Sequence, residues 1–515
     1  MNLYFNENTP SGIEREFPKS LIGWYEFHKG ATALFISGGF SEAEVILEAL
    51  QDAGLKTKKI ALEDICDISR IKELCGDNET FDYIVGCGIL EKSRNPQELL
   101  KQLGSMLSVH GHILLGLDNR LGVRYFSGDK DAFTDKVFDG VMDYFFADNI
   151  GEGMIKRAYT KVEVERMLDA SGFLYRRFYS VMPVLENPRF LFAEDYLPDE
   201  ELDIRVDPQY RSPETVFLNE KILYKTLVDN GLFHIMANGY LLEISADGSL
   251  SDMLTVTSSL DRGREYAIYT TITRRQTVIK KAAYPDGEER IAQIQENNDY
   301  LNRHGIKTVK GQIIDGAYEM PYIKAPTATG YLRNIFWTDT ERFLTELDRF
   351  MELIDNSSDI APYENVDWER FDPNWKTSKP DDPGKFKWRD MAYGSMDKQR
   401  ELGPGFVRGY IDLVCLNCFV IEGEYVFYDQ EFVIDDIPAK AIKSRTVHLL
   451  YNADMDKMLP REKVLERYGL LENCVFWCSY EARFLNSLRN LRILAEYNKR
   501  TRVSGQTDAV NRNRI

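Results

Sequence analysis

The stretch Asp412-Leu413-Val414-Cys415-Leu416-Asn417, followed by Tyr428-Asp429-Gln430-Glu431-Phe432, decides how the C-terminal half of this chain is read. An Asp, an Asn five residues on and a second Asp about a dozen later form a spacing suited to phosphoryl transfer. In that chemistry one carboxylate takes the proton of an accepting hydroxyl. An amide oxygen and a second carboxylate hold the Mg²⁺ that bridges the phosphates of ATP. Asp412 is then the candidate catalytic base, and Asn417 and Asp429 are the candidate metal ligands, both hard oxygen donors.

The elements upstream fall in an order that suits the same chemistry. Thr277-Val278-Ile279-Lys280-Lys281 reads as a strand ending in lysine, from which an ammonium reaches phosphate oxygens. Val278 and Lys280 share one strand face, with Lys281 as the alternative amine. A helix from Glu288 to Arg303 follows, and its Glu296 is placed to orient the lysine. Glu319-Met320-Pro321-Tyr322-Ile323 reads as a connection between lobes, with Tyr322 offering backbone groups to adenine. Strands, one helix, strands and then helices predict an α+β bilobal domain. The set resembles the aminoglycoside- and lipopolysaccharide-type small-molecule kinase family, whose metal motif ends in Asp-x-Glu, as Asp429-Gln430-Glu431 does. That resemblance implies ATP and Mg²⁺ as cofactors. Two features depart from the family's pattern. Tyr410 stands where it has a His, and Ser258-Ser259-Leu260-Asp261-Arg262-Gly263 is the one candidate for a phosphate-covering turn.

The N-terminal third reads differently. Apolar runs at Ala33–Ile36, Lys58–Leu62, Phe81–Val85 and His112–Leu117 alternate with amphipathic stretches, Glu42 to Ala53 and Pro96 to Leu107 among them. That alternation predicts a mainly parallel, doubly wound sheet. Leu90-Glu91-Lys92-Ser93-Arg94-Asn95-Pro96, then Gly111-His112-Ile113-Leu114-Leu115 and Asn119-Arg120-Leu121-Gly122-Val123-Arg124-Tyr125-Phe126-Ser127-Gly128, resemble class I S-adenosylmethionine-dependent methyltransferases. They are most similar to members encoded with bacterial surface-glycan enzymes. The resemblance implies a Rossmann-like α/β domain that takes S-adenosylmethionine at Gly38, Gly39, Glu63, Cys87 and Gly88, with Asp64 as the alternative acid. The turn itself departs from the family's pattern: Phe35 stands where an acid is expected, and Ser37 and Ser41 where Gly is usual.

Composition bounds the reading. A chain of 515 residues is expected to divide into domains at 1–200, 201–460 and 461–498, with a disordered tail over 499–515. The net charge of −18 argues against a nucleic-acid partner, since most of the surface repels phosphate backbones. No apolar run reaches transmembrane length, and seven scattered Cys suit reduced thiols in a cytoplasmic protein. Cys415-x-x-Cys418 and Cys474-x-x-x-Cys478 have spacings compatible with zinc, although buried, inert thiols are the expected outcome. The amphipathic stretch Glu472 to Tyr497 is a candidate for self-association to a homo-oligomer, or simply packs on the preceding lobe.

Together these features point to a cytoplasmic transferase of bacterial polysaccharide biosynthesis, acting on a glycan or a nucleotide- or lipid-linked sugar. The competing expectation is a non-catalytic scaffold built from two degenerate folds, which organises glycan-assembly enzymes and needs neither cofactor.

Overall fold

The computed structural model describes residues 15–38, 40, 44–62, 74–76, 79–145, 156–198, 202–361, 402–403, 405–435, 437–474, 477–478, 481, 484–485, 488–489 and 491–503. They form two compact units. One comprises Asn2–Asp261, Ala267–Arg275 and Arg492–Ile515; the other comprises Arg262–Tyr266 and Gln276–Leu491.

In the first unit β1 (Thr32–Ser37), β2 (Lys56–Ala61), β3 (Phe81–Cys87) and β4 (Leu107–Asp118) lie parallel in the order β2-β1-β3-β4. The near-continuous apolar text of β1, β3 and the second half of β4 is what strands buried on both faces require, while β2, at the edge, is largely polar. Helices α1 (Val45–Asp52), α2 (Pro96–Ser105) and α3 (Lys161–Ser171) supply crossover and cover. Asn95 caps α2 by accepting the Glu98 amide, with Pro96 in the first turn. A Thr160–Glu163 capping box opens α3, and Gly172, at φ +82°, closes it. Leu99, Leu100 and Leu103 of α2 and Val164 and Leu168 of α3 pack on the sheet in one core cluster.

The sheet continues with β5 (Tyr175–Val184), β6 (Asn187–Ala193), β7 (Gly239–Ser245), β8 (Met253–Ser258) and β9 (Ile268–Thr273), in the order β4-β7-β5-β6-β8-β9. Strand β7 inserts antiparallel between β4 and β5. This is a Rossmann-like α/β fold, and it corrects the expected division at residue 200. Residues 239–245 bond to neighbours on both edges in mid-sheet, so the segment after residue 200 belongs to this unit.

The second unit has a small antiparallel sheet, order β11-β12-β10, from β10 (Thr277–Ala282), β11 (Gln312–Ile314) and β12 (Ala317–Pro321). Helix α4 (Glu288–Arg303) buries Ile291, Ile294, Asn297, Asn298 and Leu301, a stripe at helical spacing. Helices α5 (Ala328–Thr338), α6 (Thr340–Asp355) and α7 (Ala439–Leu450) and the hairpin Cys418–Ile421/Glu424–Phe427 share one large apolar core.

Described residues of the C-terminal stretch pack within the chain. Trp477, Phe484 and Leu488 are buried in the second unit's core. In the first unit Tyr497 donates to Gln209 and packs edge-on against Phe17, within the helix Leu491–Thr501. Helix also continues past residue 499, where a disordered tail is expected. Among the described residues no helix is long and apolar enough to cross a membrane.

Candidate functional site

The hairpin of the second unit brings the decisive residues together. Asn417 precedes its first strand and Tyr428 follows its second, and the Tyr428 amide donates to Asn417 O at 3.0 Å. The chain then turns at Asp429, whose φ of +63° is a left-handed conformation that Asp tolerates better than most residues. The turn aims Asp429 and Glu431 at β10. Lys280, 3% exposed, pairs with Asp429 and lies 2.7 Å from Glu431 Oε1. Arg262 reaches the other oxygen of Glu431 at 3.0 Å. Burial alone would raise the Glu431 carboxyl, yet Lys280 and Arg262 outweigh it and hold the group below the ordinary carboxylate range.

Asp412 is tied to the same loop through its main chain. Asn417 Nδ2 and Gln430 Nε2 donate to Asp412 O at 3.2 and 3.1 Å. Its carboxylate accepts from Arg445 at 3.0 Å, and Arg445 also pairs with Glu481. The structure thus sets Lys280 on Asp429 and ties the main chain of Asp412 to Asn417 and Gln430, with the Asp412 carboxylate turned to Arg445. It also selects between the two amines, because Lys281 is exposed and Lys280 is not.

Three expectations need correction. Glu296 is exposed. It sits one step off the buried stripe of α4, and a step of about 100° turns a helical side chain away from the core. The acid that meets Lys280 is Glu431, and the residue of α4 that reaches the loop is Asn297. Its Nδ2 donates to Gln430 O at 2.8 Å and its Oδ1 accepts from Arg408 at 2.9 Å. Sequence reasoning missed Asn297; the buried-stripe period would have found it. Tyr322 spends its amide on Gln276 O at 2.8 Å, so that N–H is not offered to a ligand. The turn Ser258–Gly263 is not a phosphate cover either: Ser258 belongs to β8 and Arg262 pairs with Glu431.

In the first unit the carboxyl ends of β1 and β3 meet, the place where open α/β sheets take their ligands. Gly38 (φ +89°) and Gly88 (φ +68°) both adopt the left-handed conformation that glycine permits. The Phe40 amide donates to Cys87 O at 3.0 Å, and Lys92 Nζ to Gly38 O at 3.2 Å. The Phe40 ring rests on Gly88, 2.9 Å from where a Cβ would stand. Cys87 is buried and points elsewhere: its Sγ would lie 2.4 Å from a Cβ on Gly116, so only its main chain faces the crevice. Gly39, Glu63 and Asp64 lie outside the described residues.

At the end of β4, the segment that carried the resemblance builds a buried polar cluster. Tyr125 donates to Asp118 Oδ2 at 2.5 Å, and Arg124 lies near Asp129 and Glu186 at 3.5 and 3.7 Å. The Arg124 amide donates to Asn238 Oδ1 at 2.9 Å. Glu91, 1% exposed, accepts the Asp118 amide at 2.7 Å, and its Oε2 is buried with no hydrogen-bond partner. Burial pushes the Glu91 carboxyl up to about 8.

No family model matches the chain, and no curated protein matches it. Its structural neighbours include S-adenosylmethionine-dependent methyltransferases. One, from Thermotoga maritima, is described as a possible histamine N-methyltransferase; it is 12% identical, over 47% of this chain and 96% of that one, at a TM-score of 0.26. Another, from Archaeoglobus fulgidus, is 15% identical over 45% and 94%, at 0.27. A third, from Mesorhizobium loti, is 13% identical over 45% and 97%, at 0.25.

Proposed function

We propose that this chain is a transferase whose second unit binds ATP with Mg²⁺ and passes a phosphoryl group to a hydroxyl. The acceptor is a glycan or a nucleotide- or lipid-linked sugar of bacterial polysaccharide biosynthesis, in the cytoplasm. One juxtaposition supports this reading: Lys280 of the small sheet meets Asp429 and Glu431, while Asn417 and Gln430 hold the main chain of Asp412. The donor set fits the ligand, with two hard oxygens for Mg²⁺ beside a buried ammonium for phosphate. Bound Mg²⁺·ATP supplies the electrophilic phosphorus and neutralises its charge.

The chain's own groups do the rest. Lys280 exchanges a carboxylate partner for phosphate oxygens. Asp429 and Asn417 Oδ1 would hold the metal, the Asn amide being anchored on Asp412 O. Asp412, oriented by Arg445 through one oxygen, takes the hydroxyl proton on the other. Titration calorimetry of the full chain with ATP is the test. Binding is expected only with Mg²⁺, and at least about ten-fold weaker in Asp429→Asn. A wild-type chain that binds no nucleotide with Mg²⁺ overturns the proposal.

For the first unit the reading is a methyltransferase-type domain that takes S-adenosylmethionine at the ends of β1 and β3, on Gly38, Gly39, Glu63, Gly88 and the main chain of Cys87. The left-handed glycines fit a ligand's close approach, and the Phe40 ring is what a bound donor displaces. That ring is also the observation favouring the second reading, a non-catalytic scaffold: the glycine face open to a ligand is covered by the protein itself. A scaffold binds neither cofactor, so the two readings separate on binding alone.

A further inference from the structure

The two cysteine pairs have different fates. Cys415 and Cys418 are buried, and Cys415 accepts from Thr329 inside the second unit's core. Cys474 is half-buried, Cys478 is exposed, and both face His448 of helix α7. The expectation of inert, buried thiols fails for this second pair. His448 Nε2 lies 3.8 Å from Cys474 Sγ and 3.5 Å from Cys478 Sγ, and the three ligand atoms all lie within 4.8 Å of one another.

These separations are what a shared ion imposes. Zn–S bonds of about 2.3 Å and a Zn–N bond of about 2.0 Å, at the tetrahedral angle, set sulfur and nitrogen about 3.5 Å apart. The imidazole is also prepared for the task. Its Nδ1 lies 2.7 Å from Ser444 O, and a carbonyl oxygen only accepts, so Nδ1 carries the proton. Nε2 therefore turns its lone pair toward the sulfurs, with the backbone contact that ligating histidines make on their other nitrogen. The cysteines, four residues apart, suit one helical face.

We propose that Cys474, Cys478 and His448 bind a zinc ion. On binding, the two thiols lose their protons to solvent, and two thiolates with a neutral imidazole balance the charge of Zn²⁺. Among the described residues three ligands converge, and Cys478 is exposed, so the fourth position takes water. The site pins Cys474 and Cys478 to α7. Arg445 and Glu481, which pair with each other, each stand three residues from a ligand on the same two segments. The ion therefore clamps the elements that hold Arg445 against Asp412, and it does so whether or not the unit transfers phosphate.

Titrating the full-length chain with Co²⁺, after chelator treatment under reducing conditions, reads the site directly. One equivalent is expected, with thiolate-to-cobalt charge-transfer absorption and tetrahedral ligand-field bands that Zn²⁺ bleaches. Cys478→Ser, an exposed change, and His448→Gln should each weaken Co²⁺ binding about 100-fold or more, whereas Cys75→Ser leaves it unchanged. Wild-type protein without the thiolate band overturns the proposal, as does an undiminished band in Cys478→Ser and His448→Gln. If those variants fail to fold by circular dichroism, zinc-edge X-ray absorption of the wild-type chain decides. Two sulfurs, one imidazole nitrogen and a water oxygen support the site, and any other set of ligands overturns it.

Discussion

Lys280 and Glu431 stand 151 residues apart in sequence and 2.7 Å apart in the fold, with Asp429 on the same ammonium and Arg262 on the far carboxylate oxygen. Two cations and two carboxylates thus share one buried locus between strand β10 and the loop after the hairpin. The four charges balance one another, and on the proposed reading a polyphosphate with Mg²⁺ would re-partition them, phosphate to the ammonium and metal to the carboxylate.

Removing the ammonium should be costly even without ligand. Lys280→Met leaves Asp429 and Glu431 with Arg262 alone, and breaking a buried pair from one side costs about 3–5 kcal/mol. Urea unfolding should show that loss, and the calorimetric ATP signal should vanish in any fraction that remains folded. Unchanged stability would mean that the pair is not formed.

Neighbours on α4 should behave oppositely. Glu296→Ala is expected to change stability by less than about 0.5 kcal/mol, as exposed substitutions do. Asn297→Ala orphans Gln430 O and Arg408 and should cost about 1–3 kcal/mol. It should also weaken Mg²⁺-dependent ATP binding, because the loop bearing Asp429 loses its anchor. Equal effects at the two positions would refute the assignment.

Two carboxyls give pH dependences of opposite sign. The folded pKa of Glu431 is lowered, so its stabilisation is present above the unfolded value of about 4.3 and is lost as pH falls through the lower folded value. The folded pKa of Glu91 is raised to about 8, so its contribution is full below about pH 4.3 and is lost as pH rises to about 8. Glu91→Gln, a neutral isostere that still accepts the Asp118 amide, should remove that decline, worth about 1.4 kcal/mol per pH unit in the window. Thermal unfolding at pH 5 and pH 8 checks it: the wild-type midpoint falls more than the variant's.

The Phe40 ring makes the methyl-donor crevice testable. Phe40→Ala uncovers Gly88 and should tighten S-adenosylmethionine binding several-fold. Gly88→Ala places a Cβ against the ring and forces a left-handed alanine at a cost of about 1–2 kcal/mol, and it should abolish binding. Absence of binding in both wild type and Phe40→Ala would favour the scaffold.

Much of this was legible in the linear text. The apolar runs at 33–36, 81–85 and 112–117 became β1, β3 and β4, and the helix from Glu288 to Arg303 begins and ends where the pattern predicts. Asn417 and Tyr428 stand at the two ends of a tight hairpin, so local turn geometry fixes where Asn417 and Asp429 sit. Asn297 was missed by one residue, although the period set by Ile291, Ile294 and Leu301 carries position 297 inward and turns Glu296 out.

Sequence by itself determined the elements whose burial repeats along the chain: a parallel α/β core, a strand carrying Lys280 and the helix after it. Tertiary structure alone decided which distant edges and side chains meet. It set β7 between β4 and β5, gave Glu431 rather than Glu296 to Lys280, and turned His448 onto Cys474 and Cys478. Periodic burial is a local property, one residue's environment repeating every two or 3.6 positions. Pairing across a hundred residues depends on how whole surfaces dock, and no short stretch encodes it.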